Sequence, residues 1–521
     1  MARVIEKLAL HNFRRFDDFE MSLAPGTNLV IGDNESGKSS LLEAIDLVLG
    51  GRKSRVESVG LERLMNATAV EQFLGCRKEF ASLPTMWAEV YLSGESSPDL
   101  NGRNNSMKRE CDGLRLLCEP MDDYSTEIAE ILSDGDPNFP FEYYSIKFLT
   151  FSGEAYTGYR RFMKHLLLDG SQINSEHAMR SYVREMYRTN ADEAVMNRHQ
   201  NEYRKVKRKF CEETLDDVNS ALDEYKFSVA TSKRCNLETD LTITEADIPI
   251  ENRGKGRQCF IKTEFALNRG ASGRSLDVLL IEEPENHLSH TNTRKLIQLI
   301  RQSEDQQLIV ATHSSLICSR LDLRNAIMLN SSCSQPATLA QLSSDTARFF
   351  VKAPDNNVLE LILSSRAILV EGDAEFILFA AMYEAVAGES LDSSEVHVIS
   401  VDGTSFKRYL ELAKLLQIRV GVIRDNDGDA QRNCVERYAD YTSDKVAIFY
   451  EEDDELTTFE KCIYHSNEGT CDRLFSGPRI KATPVEYMIA HKTEAALRLL
   501  DDDVEIVVPG YIKKAIEWNR Q

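Results

Sequence analysis

No apolar run in this chain approaches the roughly 20 residues that cross a bilayer, so no transmembrane helix is expected. Residues Met1 to Glu6 carry no signal-peptide apolar region, and the expectation is a cytoplasmic protein without a membrane partner. Eleven cysteines are present, yet none forms a C-x-x-C pair and no histidine stands at zinc spacing. Free thiols in a reducing compartment are the simplest reading. Basic residues are in deficit: 62 Lys and Arg face 84 Asp and Glu, a net charge of −22. That balance argues against non-specific coating of nucleic acid, but leaves room for a local binding groove. No internal repeat or low-complexity tract is found. At 521 residues the chain exceeds one core, and several domains are expected.

What is present begins with a glycine loop. Asn28-Leu29-Val30-Ile31 reads as a short strand and Gly32-Asp33-Asn34-Glu35-Ser36-Gly37-Lys38-Ser39 follows it. Ser39 to Leu49 then reads as an amphipathic helix stopped at Gly50-Gly51. Strand, glycine loop and helix is the context a phosphate-binding loop needs. Gly32 and Gly37 permit the tight backbone, Lys38 supplies charge for the β- and γ-phosphates, and the Ser39 hydroxyl suits Mg²⁺. Downstream, Leu279-Leu280-Ile281-Glu282-Glu283-Pro284 is an apolar strand ending in two acids. Glu282 is placed for the Mg²⁺ shell and Glu283 for polarising a water. A helix from His290 to Gln302 leads to the strand Leu308 to Ala311 and then to Thr312-His313-Ser314. His313 can there contact a γ-phosphate at the sheet edge where ligands collect.

Strand patterns also cover Val4 to Leu10, Phe19 to Leu23, Met86 to Leu92, Leu114 to Glu119 and Phe141 to Phe151. From about 155 to 228 the proline-free pattern reads as helical, and 331 to 364 is Ser- and Asp-rich, suiting a linker. Arg204, Lys205, Lys207, Arg208 and Lys209 cluster between 198 and 209, where a solvated helix face is the ordinary expectation.

A second α/β region opens at Ala367-Ile368-Leu369-Val370-Glu371-Gly372, with Glu375 one helical turn beyond Glu371. Val420 to Ile423 runs into Arg424-Asp425-Asn426-Asp427. In extended chain the two acids at i and i+2 would point the same way. Hard oxygen ligands of this kind favour Mg²⁺ or Mn²⁺.

The first set of motifs, with Leu10-His11-Asn12-Phe13-Arg14-Arg15-Phe16, resembles the ATP-binding-cassette (ABC) ATPases of the SMC and RecF group. Asn252 to Gln258 is the counterpart of their signature loop, without its Ser-Gly-Gly core. The second set, with Val401-Asp402-Gly403-Thr404 between its acids, resembles a Toprim domain. Thr457-Thr458-Phe459-Glu460 and Met488 to Glu494, containing Lys492, resemble the later motifs of Toprim nucleases. The whole order is similar to the OLD (overcoming lysogenization defect) nucleases, known in anti-phage defence through Gabija systems and retrons.

The resemblance implies an α/β protein: an SMC/RecF-like ABC ATPase with a helical dimerisation insertion, then a C-terminal Toprim domain. The expected bounds are 1–154 and 236–350 for the ATPase, 155–235 for the insertion and 351–521 for Toprim. ATP would be held by Gly32, Asn34, Gly37, Lys38, Ser39, Ser40, Glu282 and His313. Metal would be held by Glu371, Glu375, Asp425, Asp427, Thr458 and Glu460, and by Ser39 at the nucleotide. Catalytic roles fall to Glu371, Asp425, Asp427, Glu460, Lys492 and Glu283. The implied activity is an ATP-regulated DNA endonuclease or nickase. Its implied partners are DNA, further copies of the chain, and a helicase-like or reverse-transcriptase and non-coding-nucleic-acid partner of a defence system. The rival expectation is an ATP-switched DNA clamp or scaffold without nuclease activity.

Overall fold

The computed structural model describes residues 3–521 apart from 77–78, 134–137, 159–161, 171–175, 223, 231–235, 268–275, 304–305, 322–324, 331–334, 353–355, 402–404, 477–481 and 502–505. The expected motif residues Asp402 to Thr404 therefore lie outside the described residues. Two compact units emerge: residues 1–29 with 39–321, and residues 30–38 with 322–521.

In the first unit, Val4–Phe13 is the centre of an antiparallel sheet, flanked by Phe16–Ser22 and Met86–Ser93. Cys111–Pro120 continues it and Tyr144–Thr150 pairs beyond. Phe16, Phe19 and Met21 are buried while the intervening acids are exposed, the alternation of a sheet with one wet face. A second, parallel array sets Val278–Glu282 between Gln307–Thr312 and His165–Asp169. Both faces of Val278–Ile281 are buried, which suits its continuous apolar run. His290–Gln302 is helical as its periodicity predicts, with the Ser289 side chain capping its first turn.

The stretch expected to be helical from 155 begins with a strand, His165–Asp169, and becomes helical only at Glu176–Asn190 and Glu193–Glu213. A run such as Leu166-Leu167-Leu168 carries no period of its own, and hydrogen bonding to the strand Val278–Glu282 decides it. The basic cluster lies on Glu193–Glu213, a helix with no buried residue among those described.

In the second unit, four parallel strands run in the order Val396–Ser400, Arg366–Val370, Arg419–Ile423, Val446–Phe449. The last was not legible, because Val446-Ala447-Ile448-Phe449 is too short to show a period. Helix Asp373–Ala387 buries Ala374, Leu378, Phe379, Met382 and Tyr383, and helix Lys492–Asp501 packs on it. Helix Gly510–Arg520 covers the sheet, where buried Asn519 donates to the Ala367 carbonyl at 2.7 Å. The expected linker 331–364 instead contains helices Ser344–Lys352 and Asn356–Leu363, with Val358, Leu359, Leu361 and Ile362 buried. Its serines act at a helix start: Ser343 and Thr346 both bond Glu411, which fixes the segment to its neighbour. No helix among the described residues is long and apolar enough to cross a membrane.

Candidate nucleotide and metal sites

The glycine loop leaves the strand Thr27–Gly32 and enters helix Lys38–Gly50. A side chain on Gly32 would sit 2.6 Å from the Leu329 carbonyl, so glycine is required there. Gly37 has φ of 96°, in the region that glycine tolerates best. Asn34 and Ser39 are exposed and Ser40 is half-buried. Lys38 is 7% exposed. Its ammonium donates to the carbonyls of Gly32 and Asp33, at 2.8 and 2.7 Å.

The acid-ended strand meets this helix start. Burial raises the Glu282 carboxyl, and a hydrogen bond with Ser39 opposes that rise. The two residues expected to share a Mg²⁺ are therefore together. Glu283 turns at φ 44° and its amide donates to the Ala311 carbonyl at 2.8 Å. His313 Nδ1 stands 3.4 Å from Glu283 Oε1, and the Asn286 amide steadies the other carboxylate oxygen at 2.8 Å. Glu285, not singled out from the sequence, holds this corner by accepting from the Thr312 hydroxyl at 2.5 Å and the His313 amide at 3.3 Å. Asn252 to Gln258 spans the start of helix Lys255–Leu267, where Arg257 and Arg253 pair with Glu245.

In the second unit, Glu371 follows one strand and Glu375 occupies the first turn of the next helix, where a carboxylate suits the helix dipole. Asp425 follows the strand Arg419–Ile423. Glu460 starts helix Phe459–Ser466, and Lys492 starts helix Lys492–Asp501. Burial pushes the Glu375 carboxyl up to about 7, and the charge of Glu460 adds to the rise. Burial likewise lifts Asp425 to about 8, reinforced by Glu375, Glu371 and Glu460. Acids that raise one another in this way are close in space, and their repulsion is relieved by protons or by a cation.

The expectation that Asp425 and Asp427 point alike is corrected. The strand stops at Ile423, and Asp427 turns at φ 51°. Asn426 makes that turn rigid: it is buried, and its amide donates to the carbonyls of Glu451 and Asp453, both at 2.9 Å. Asp425 is thereby half-buried among acids, while the Asp427 side chain is 51% exposed.

Sequence reasoning overlooked Arg424. Its side chain is 4% exposed and bonds Glu371 through one nitrogen and Asp427 through the other, the latter at 2.8 Å. The signal was its position directly before the acid pair. Lys492, which would ordinarily be an exposed lysine, lies 2.9 Å from Glu460.

The donor set fits a hard divalent ion. Glu460 is nearly fully buried; among the described residues neither of its oxygens accepts a hydrogen bond beyond the Lys492 ion pair, and the buried Thr458 hydroxyl has no partner. Unpaired buried oxygens of this kind are costly without a cation. The carboxylates are not drawn into one tight cage. Among the described residues, the trio with ligand atoms all within 4.8 Å of one another is His11, Asp17 and Asp18, on the antiparallel sheet of the first unit.

Known proteins match in corresponding places. Residues 362–427 match the family described as overcoming lysogenization defect protein-like, TOPRIM domain. Residues 7–83 match an AAA domain and residues 163–318 an AAA ATPase domain. The DNA replication and repair protein RecF of Stenotrophomonas maltophilia is 45% identical over 101 residues, 19% of this chain and 27% of that protein. The Old nuclease of Escherichia phage P2 is 23% identical over 175 residues, 32% of this chain and 30% of that protein. The chain thus spans under a third of the length of either relative. The solved C-terminal region of the Xanthomonas campestris OLD protein aligns at 22% identity and a TM-score of 0.24, over 30% of this chain and 94% of that one.

Proposed function

We propose, from an OLD-like Toprim domain carried with an SMC/RecF-like ATPase head, that this protein is an ATP-regulated, divalent-metal-dependent DNA endonuclease or nickase. The observation that carries the reading is the acid group of buried Glu375 and Glu460 with half-buried Asp425, beside a Thr458 hydroxyl that has no partner among the described residues. Mg²⁺ or Mn²⁺ held by Glu371, Glu375, Asp425, Asp427, Thr458 and Glu460 would supply charge for an attacking water and a leaving oxygen. Lys492, half exposed beside Glu460, is suited to contact a phosphate oxygen. In the ATPase head, Lys38 and the loop amides would bind the triphosphate, while Ser39 and Glu282 would hold its Mg²⁺. Glu283 would orient water and His313 would sense the γ-phosphate.

The domain bounds 1–154, 155–235, 236–350 and 351–521, a cytoplasmic location and a role in anti-phage defence belong to the same proposal. So do assembly as a homodimer or larger oligomer and a helicase-like or reverse-transcriptase partner. Exposed Val206 and Phe210 on helix Glu193–Glu213 support assembly through that arm. One observation favours the rival clamp reading: Arg424 already neutralises two of the acids.

The test incubates supercoiled plasmid with the protein and Mg²⁺ or Mn²⁺, with and without ATP, beside an Asp425→Ala, Asp427→Ala double variant. Nicking by the wild type, reduced about a thousandfold or more in the variant, is expected. Equal cleavage by both would reject the site. No cleavage with either metal, alone or with phage-infected lysate added, would favour the clamp.

A further inference from the structure

The acids of the Toprim domain divide into two groups with different counter-charges. Glu375 and Glu460 are buried and Asp425 is half-buried, and the cation beside them is the half-exposed Lys492 on Glu460. Glu371 and Asp427 are more exposed, and both are gripped by Arg424. The two cations differ in how firmly they are held. Lys492 is a single ammonium on a flexible stem, easily withdrawn. Arg424 is fixed along its length: its backbone amide donates to the Phe449 carbonyl at 3.0 Å, and its guanidinium faces the Phe406 ring at 5.8 Å. Its planar fork then meets one carboxylate on each arm.

We infer that Arg424 is an internal competitor for divalent metal at the Glu371–Asp427 half of the site, which makes the two halves unequal in metal affinity. A guanidinium bonded to both carboxylates supplies the charge compensation that an ion would supply there. An ion can use those oxygens only when the fork lets go of at least one. Binding at this half therefore includes the loss of a buried Arg–carboxylate contact, whereas at the inner half the cation to displace, among the described residues, is the half-exposed Lys492. Among the described residues the buried Arg424 Nε has no acceptor, and the hydrogen bonds of the guanidinium are those of its two terminal nitrogens to Glu371 and Asp427. Arg424 is on this view a positioning residue, setting at what metal concentration the second position fills. The inference rests on the proposed metal-dependent nuclease reading.

The test measures Mn²⁺ binding to the full chain without DNA, by loss of the free-ion EPR signal, for wild type, Arg424→Gln and Arg424→Lys. Wild type is expected to bind one ion tightly and a second more weakly. Arg424→Gln should tighten the second by about tenfold and leave the first within about twofold. Arg424→Lys, keeping charge but losing the fork, should fall between them. An unchanged or weakened second site in both variants, with wild type still binding, overturns the competitor role while the metal reading stands. No Mn²⁺ binding by any of the three overturns the metal reading and this inference together. If Arg424→Gln does not fold, Arg424→Lys with Glu371→Gln decides. The lysine variant should gain affinity at the second position and the glutamine variant should lose it, and equal losses in both would overturn the inference.

Discussion

Lys38, at the start of a helix, and Arg424, just after a parallel strand, are both buried cations, 7% exposed as a residue and 4% exposed as a side chain respectively. Lys38 is held by two neutral carbonyls of its own loop. Arg424 is held by two carboxylates that arrive from different segments. The difference is what a candidate anion site and a candidate cation site would need. Carbonyls are neutral acceptors, and a phosphate that replaces them exchanges two ordinary hydrogen bonds for charge-assisted ones. A cation resting on carboxylates has its charge matched already, and what enters such a site must compete with it.

The sharpest way to break this contrast is at Lys38. Lys38→Ala should weaken ATP binding by about 10- to 100-fold while leaving Mn²⁺ binding in the absence of nucleotide unchanged. Fluorescent-nucleotide titration beside Mn²⁺ titration would check this, and joint loss of both would show that the loop is not a separate anion site.

A second test uses acidity. Glu375 and Asp425 are lifted to about 7 and about 8, above their ordinary values of 4.5 and 3.8. The metal-free folded protein therefore binds protons more tightly than the unfolded chain. The associated stability is full below the unfolded values and is lost as pH rises through the folded ones. Thermal melts in chelator should show a falling Tm between about pH 5 and pH 8, with Mn²⁺ restoring more of it at the higher end. Asp425→Asn should flatten that fall. A metal-free Tm indifferent to pH across this window would show that these acids are not mutually buried.

The smallest effect is expected on helix Glu193–Glu213. Exposed Lys205 pairs with Glu202 at 2.7 Å, and the more enclosed Lys207 with Asp240 at 3.4 Å and with the Tyr203 ring. Reversing Lys205 to glutamate should cost under about 1 kcal/mol in stability, and reversing Lys207 more. If this helix face contacts DNA, the salt dependence of binding should fall by about two ions. Unchanged affinity and slope would leave the stretch as the solvated face its composition suggests.

The two sites were unequally legible for the same reason that they differ in chemistry. The nucleotide loop is contiguous, and Gly32, Gly37, Lys38 and Ser39 announce it within eight residues. The pairing of Ser39 with Glu282, and of His313 with Glu283, followed from reading both acids and the histidine as ends of adjacent parallel strands. The candidate metal group is assembled from three separated segments, around Glu371, Asp425 and Glu460, and its acids could be named one by one but not arranged. Treating Asp425 and Asp427 as equivalent failed because a period-two argument needs extended chain, and the chain turns at Asp427. Arg424 escaped notice because its position before the acid pair is a weak signal, and one that does not say which carboxylates it meets.

What the sequence by itself determined is the set of local units. These are the strand, loop and helix around Lys38, the acid-ended strand at Glu282, and the strands that lead to Glu371 and Asp425. Apolar runs and glycine positions act over a few residues and need no distant partner. Long-range packing makes His165–Asp169 a strand, leaves Asp425 half-buried and Asp427 exposed, and brings Arg424 between Glu371 and Asp427. Strand pairing, burial and charge compensation act through space, between residues that chain order keeps far apart.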